Sequence, residues 1–508
     1  MKSRAAFVVS LILATGAVRG AQEMSLLSVE SGMPARTIAT PGAAPAPEDP
    51  HASAQSGDMA LGAGFYMGTS TSATQVEGGG IDNDIARWAS THAGWAQPNP
   101  GLDHWNRLEE DYAHLEQNGH NAHGFTVDWA RIEPQPGQYA RAALDHYKQE
   151  IAICRKHGME PMVTLLQYGL PPWLAAKGGV LAPDATQRFA AFAHVCAEEF
   201  GDQVTWWATM NEPNTLAAAA YLAGLWPPGK KNPLSMMHAL DAQVRMHAAA
   251  ATELHKVARA RGRDAKVGIV FIDDKEYPAQ TWNPIDQAAA KLYDYVGNRW
   301  FLDALADGKA HRPVGKGEEV PGLKGSIDYL GLNFYGREFG HFNPFASNGP
   351  LVGKPDPDHP GKQPVMDAAG LYERILADYT QLRVPILITE NGVNIPEPDA
   401  DNQRGRAIID ALAAIKHARD DGVPVLGYLH WTDWDSPEWH DGWTQHYGLF
   451  GFDPQTGRRW DKPAAATFEV LARRLAIPQA WLTADNRQSP ALRDRHAKAA
   501  LQAFHDSR

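Results

Sequence analysis

Cysteine is nearly absent from the 508-residue sequence: only Cys154 and Cys196 occur, which excludes a disulfide framework and a four-cysteine zinc site. Both lie in segments that read as helices and are expected to be buried thiols. Basic charge is also scarce, with 47 Lys and Arg against 59 Asp and Glu and a net charge of −12. No footprint for nucleic-acid phosphates or anionic membranes is left, so no nucleic-acid partner is expected. Long apolar runs are missing too, and no segment approaches the roughly 20 residues that cross a hydrocarbon core. Repeats at solenoid or propeller periods are likewise absent. What remains is ordinary globular composition, 44% hydrophobic and 21% charged, in which a large core can form. Tryptophan is as frequent as phenylalanine, 16 of each. Flat indole faces with a polar edge suit sugars, although core packing accounts for most of them.

At the N-terminus Lys2 and Arg4 precede an apolar run from Ala5 to Val18 and then small residues, the pattern of a secretory signal. Residues 1–20 are therefore read as an export signal and the protein as periplasmic or extracellular. Loss of Lys2, Arg4 and Arg19, with no acid, moves the net charge from −12 to −15. Residues 21–58, with Pro34, Pro41, Pro45, Pro47 and Pro50, read as a flexible lead-in. Residues 59–477 are expected to form one domain, and the tail 478–508 carries no legible chemistry.

From Leu61 onward short apolar runs alternate with helical patterns, the order that gives βαβ units. Candidate strands are Leu61 to Gly68, Asn121 to Val127, Pro161 to Leu166, Val204 to Met210, Lys266 to Ile272, Ile327 to Asn333, Pro385 to Thr389 and Pro424 to Trp431. Between them Leu144, Tyr147, Ile151 and Cys154 recur at helical spacing. Eight such units predict an α/β fold, a (β/α)₈ TIM barrel with long βα loops such as Arg337 to Pro364.

Active residues of such a barrel sit where strands end. Those positions hold Gln75 and Glu77, Gln167, Asn211 and Glu212, Asn333 and Tyr335, Glu390 and Asn391, then Trp431, Asp433, Asp435, Glu438 and Trp439. Glu212 and Glu390, at strands four and seven, are the two carboxylates that chemistry at an acetal needs. Alone, each glutamate would read as a solvated turn residue. The cluster Asp433, Asp435, Glu438, His440 and Asp441 fits neither a zinc nor an EF-hand spacing. Gly62 to Gly68 does not fit the dinucleotide fingerprint. No metal and no cofactor are expected.

Thr209-Met210-Asn211-Glu212-Pro213 and Ile388-Thr389-Glu390-Asn391-Gly392 resemble the T-x-N-E-P and I-T-E-N-G motifs of glycoside hydrolase family 1, the β-glucosidase family. Ser72 to Gly78, Trp129 to Pro134, Asn333-Phe334-Tyr335, Gly427 to Trp431 and Asp435 to Trp439 extend the resemblance over Leu61 to about Ile477. It implies a retaining β-glycosidase with Glu212 as acid/base and Glu390 as nucleophile, working through a covalent glycosyl-enzyme. It also implies that Asn211 bonds the sugar 2-hydroxyl and Tyr335 the nucleophile. Gln75 and Glu438 would hold sugar hydroxyls, Trp431 would form a stacking floor and Trp439 would donate its indole N–H. The Glu438-Trp439 pair points to a neutral β-glycoside, β-glucoside-like, rather than a 6-phosphate.

Two positions depart from the family. His123-Gly124-Phe125 stands where the family has Tyr-Arg-Phe, removing the arginine beside the nucleophile, and Gln167 stands for a histidine. Arg337 or His123 could replace the charge. Arg337 is expected, because it follows Tyr335 by two residues and strand residues two apart share a face. A transglycosylase using the same intermediate and a carbohydrate-binding pseudoenzyme are the alternative readings. Oligomeric state is not encoded legibly.

Overall fold

The computed structural model describes residue 49 and residues 54–95, 101–343, 351–353, 366–399 and 401–508. The expected export signal and most of the lead-in lie outside the described residues. Eight strands close a barrel: β1 Tyr66–Ser70, β2 Ala122–Thr126, β3 Glu160–Thr164, β4 Trp206–Asn211, β5 Lys266–Ile272, β6 Tyr329–Asn333, β7 Ile386–Glu390 and β8 Val425–Trp431. Each pairs in parallel with its sequence neighbours, and β8 closes onto β1. Every residue of β2, β6 and β7 is buried, as parallel strands covered on both faces require.

Amphipathic helices make the outer ring. In Arg141–Lys156 the stripe Leu144, Tyr147, Ile151 and Cys154 is wholly buried, so the sequence periodicity is the packing face. Proline opens Pro233–Ala260, Pro284–Asp294 and Pro463–Arg474, where its missing N–H would have had no helical partner. Both cysteines are buried free thiols.

The first expected strand is displaced. Gly62 and Gly64 take φ of 95° and 79°, and Phe65 N–H turns back onto the Gly62 carbonyl at 3.3 Å. That turn consumes Leu61 to Phe65, and pairing begins only at Tyr66. The remaining strands fall within a few residues of expectation. No helix among the described residues is long and apolar enough to cross a membrane.

Two helical stretches are wound as π-helix, Ala217–Ala223 and Tyr295–Arg299. Both face the cavity at the carboxyl mouth of the barrel, in keeping with the frequent placement of such windings at functional sites. Beyond the barrel, the tail crosses back over helix Ala368–Leu382 and ends in helix Arg495–Asp506.

Candidate active site

β4 ends at Asn211, and Glu212 then adopts a left-handed backbone, φ 45°, before Pro213 opens the next helix. Such a backbone costs a non-glycine residue about 1 to 3 kcal/mol and is characteristic of active sites. The turn is held by Glu212 N–H donating to the Val270 carbonyl at 2.8 Å. Tyr168 and Trp439 also have positive φ, at 65° and 33°, and all three line one cavity of about 210 Å³. Glu390, the last residue of β7, is the register partner of Asn333 across a bulge that passes over Thr389.

The two carboxyls share this mouth and are 5% and 6% exposed for Glu212 and Glu390. Glu212 accepts Tyr168 Oη–H at 2.5 Å and Asn333 Nδ2–H at 2.7 Å. Glu390 accepts Tyr335 Oη–H at 2.9 Å and, at 3.5 Å, the Gln167 amide. Thr389 Oγ1–H donates to Asn333 Oδ1 at 2.7 Å and fixes which end of that amide faces Glu212. Burial raises the Glu212 pKa, opposed by its hydrogen-bond donors. Burial and then repulsion from Glu212 raise Glu390 further, well above the usual glutamate range. The pair therefore titrates as a unit, and the closer protein donors favour the charge on Glu212.

Around the pair, Trp431 forms one wall and its Nε1–H donates to Glu438 Oε1 at 2.9 Å. Burial pushes the Glu438 carboxyl up to about 8. Trp439 packs edge-on against Tyr168, ring centroids 4.8 Å apart. Asn211 Nδ2 lies 3.4 Å from Tyr168 Oη, and Asn333 Nδ2 is 3.3 Å from Asn211 Oδ1. Gln75 sits behind this layer, buried, with its amide N–H on the Pro437 carbonyl at 2.9 Å and its oxygen accepting Ser72 Oγ–H at 2.5 Å.

Neither expected replacement cation reaches Glu390. Arg337 turns away and donates through Nε and Nη2 to Asp367 at 2.7 and 2.9 Å. Its Nη1 lies 3.0 Å from Asp494 Oδ2. The parity argument fails because β6 stops at Asn333, so Tyr335 and Arg337 are not in extended strand. His123 is fully buried in β2, its Nδ1 3.2 Å from Tyr112 Oη and its Nε2 3.7 Å from Asp433. Strand alternation points it out toward the helices and leaves Gly124 facing the barrel interior. There Gly124 borders a void of about 20 Å³ against Gln167 and Glu390, room for one water molecule.

Sequence reasoning missed Tyr168, although it follows a residue singled out at the end of strand three. It also missed the asymmetry of the walls. Seven carboxyl groups and no Lys or Arg line the cavity among the described residues. Apolar side chains, Ala219, Leu222, Leu225, Met236 and Val296, also line it.

Against known proteins, the sequence profile of glycosyl hydrolase family 1 matches residues 58–474. A 1,4-β-D-glucan glucohydrolase of Thermotoga neapolitana is 29% identical over 430 residues, covering 78% of this chain and 98% of that protein. A 6-phospho-β-galactosidase of Lacticaseibacillus casei is 27% identical over 473 residues, covering 82% and 98%. Among solved structures, a variant rice β-glucosidase in covalent complex with glucose is 26% identical with a TM-score of 0.72, covering 81% of this chain and 98% of that one.

Proposed function

The chain belongs to glycosyl hydrolase family 1, and from that premise we propose that it hydrolyses neutral, β-glucoside-like O-glycosides through a glycosyl ester on Glu390. As a member of that family it is a retaining β-glycosidase. The observation that carries the finer reading is the pairing of two buried carboxyls, from β4 and β7, in one cavity and around one amide, Asn333.

In this mechanism Glu390 attacks the anomeric carbon while the bond to the leaving oxygen breaks and Glu212 supplies that oxygen with a proton. Glu212 then removes a proton from water, whose oxygen displaces Glu390 from the sugar. Bound substrate completes the charge assignment. Its glycosidic oxygen is an acceptor and favours the proton on Glu212, while sugar hydroxyls are donors and favour the anion on Glu390. Asn211, Glu438 and Trp439 are placed to bond those hydroxyls, and Trp431 offers its face. Gln75 acts one layer back, steadying the Pro437–Glu438 turn.

Among the described residues no Lys or Arg lines the cavity to receive a phosphate dianion. That supports a neutral glycoside over the 6-phospho substrate named for one relative. The apolar part of the lining suits a substrate with a hydrocarbon face. Lys2, Arg4 and the apolar run to Val18 support export; mature protein from its source should begin after residues 17–21.

The test is covalent trapping. A slow 2-fluoro-β-glycoside should add one sugar mass to the intact protein, localised by peptide mapping to Glu390, and Glu390→Gln should abolish both label and turnover. A label on any other residue, or an inverted anomeric product, ends this reading.

A further inference from the structure

The tail, residues 478–508, lies beyond the family match, which stops at residue 474, and yet it is tied to the catalytic wall. Helix Arg495–Asp506 buries Ala497 and Phe504 completely, Phe504 lying against Tyr379 of helix Ala368–Leu382 at 6.0 Å between ring centroids. At its start Asp494 caps the helix, Oδ1 accepting the N–H groups of His496 and Ala497 at 2.8 and 2.9 Å. Its other oxygen lies 3.0 Å from Arg337 Nη1. The same guanidinium grips Asp367, whose carboxylate caps helix Ala368–Leu382 through Gly370 N–H at 2.8 Å. One cation with its side chain only 4% exposed thus joins the capping carboxylates of two helices.

Arg337 stands two residues from Tyr335, whose hydroxyl donates to Glu390 at 2.9 Å and whose backbone N–H donates to Asp274 at 3.2 Å. His496 adds a second link, its ring 4.1 Å from that of Tyr277. In the parallel pairing of Glu276–Pro278 with Glu338–Phe342, Tyr277 lies opposite Phe339 and its neighbour Glu276 opposite Glu338. Asp274, Glu276 and Glu338 all line the cavity.

We propose that Asp494 is a positioning residue for catalysis: by holding Arg337 it locks the segment Phe334–Glu338 so that the Tyr335 hydroxyl is aimed at Glu390. The tail is then part of the active site's support and not an appendage. This rests on Glu390 as the nucleophile, and the readouts below separate the two ideas.

The decisive variant is Asp494→Asn in the full-length protein. Its remaining carbonyl oxygen can still accept the His496 and Ala497 N–H groups, so the helix keeps its cap while Arg337 loses the one anionic partner that ties it to the tail and keeps Asp367 and Glu373. Turnover of an aryl β-glycoside should fall about tenfold in kcat with KM nearly unchanged, the signature of a misaimed catalytic contact. The acidic limb of kcat/KM should move to higher pH, because the Tyr335 bond opposes the raising of Glu390 by burial, by Glu212 and by Glu438. Arg383→Ala, which removes the bond from Arg383 to the Ser507 carbonyl at the far end of the tail, should leave both unchanged. Independently of turnover, hydrogen exchange in residues 334–342 should quicken in Asp494→Asn. Wild-type kcat and pH limb in Asp494→Asn overturn the proposal. So does unchanged exchange, even if the chain proves to lack glycosidase activity.

Discussion

Asp273 and Asp274 are consecutive residues at the end of β5 with opposite fates. Asp273 is fully buried, which alone would raise its pKa, but Arg299 and Arg374 hold it down to about 2. Asp274 faces the catalytic cavity, where burial drives its carboxyl well above the ordinary range and the Tyr335 N–H only partly opposes that. The contrast extends to their neighbours, Asp378 excepted, which burial and repulsion from Asp273 push up to about 8. Behind the wall, Arg299, Arg337 and Arg374 pair with Asp273, Asp367, Glu373, Asp378 and Asp494. In front of it, carboxyls face one another with neutral donors between them. Paired ions fix a wall in place, whereas buried acids such as Glu212 and Glu390, held by neutral hydrogen-bond donors, remain able to exchange a proton near neutral pH, and acid/base chemistry requires the second condition.

The front of the wall is the place to break this contrast hardest. Glu212→Gln should lower kcat/KM roughly 10² to 10⁴-fold for glycosides with poor leaving groups and much less for activated aryl glycosides, since general acid catalysis is what it removes. Kinetics over a series of leaving groups check this, and equal losses throughout would contradict the assignment. Behind the wall, Arg374→Met withdraws a buried partner from Asp273 and Glu373, which it meets at 3.3 and 2.7 Å. Breaking a buried pair in this way costs about 3 to 5 kcal/mol, read as a lower Tm, while the surviving folded fraction keeps the wild-type pH profile. A profile that moved with Tm would show that the two faces are not separable.

The subtlest change puts a cation in front. Without one, the acidic limb of kcat/KM should lie above the ordinary glutamate value, activity falling as pH drops through the first ionisation of the Glu212–Glu390 pair, which burial raises. Gly124→Arg should bring that limb to lower pH. It should also destabilise by about 1 to 3 kcal/mol through overpacking, because even a Cβ at this position meets Leu429 and Ser70 at 3.1 and 3.2 Å. A folded variant with an unmoved limb would show that a different group sets it.

What the sequence disclosed follows the same division. Strand ends are legible because apolar runs stop abruptly at polar residues, and so Glu212, Glu390, Asn333 and Trp431 were visible from pattern alone. The beginning of β1 was not, since Leu61 and Phe65 read as strand while the glycines between them make a turn. Arg337 was misplaced because alternation has no authority once a strand has ended. Its real partners, Asp367 and Asp494, are 30 and 157 residues away in sequence, and no local signal announces a single guanidinium shared by two helix caps. Tyr168 escaped because a tyrosine after a strand looks like core until its hydroxyl is seen on Glu212.

The bulge between Leu332 and Asn333 bears on which edits the chain tolerates. There β7 advances two residues while β6 advances one, so Asn333 lies opposite Glu390 and Thr389 is passed over. Because a strand alternates faces at every step, deleting a single residue beyond Ile388 would present the wrong side chain to the mouth and turn the carboxyl away. Connections outside the strands can lengthen or shorten without altering this count. Variation in length belongs to the rim, and the last three residues of β7 form a frame in which not one position can be gained or lost.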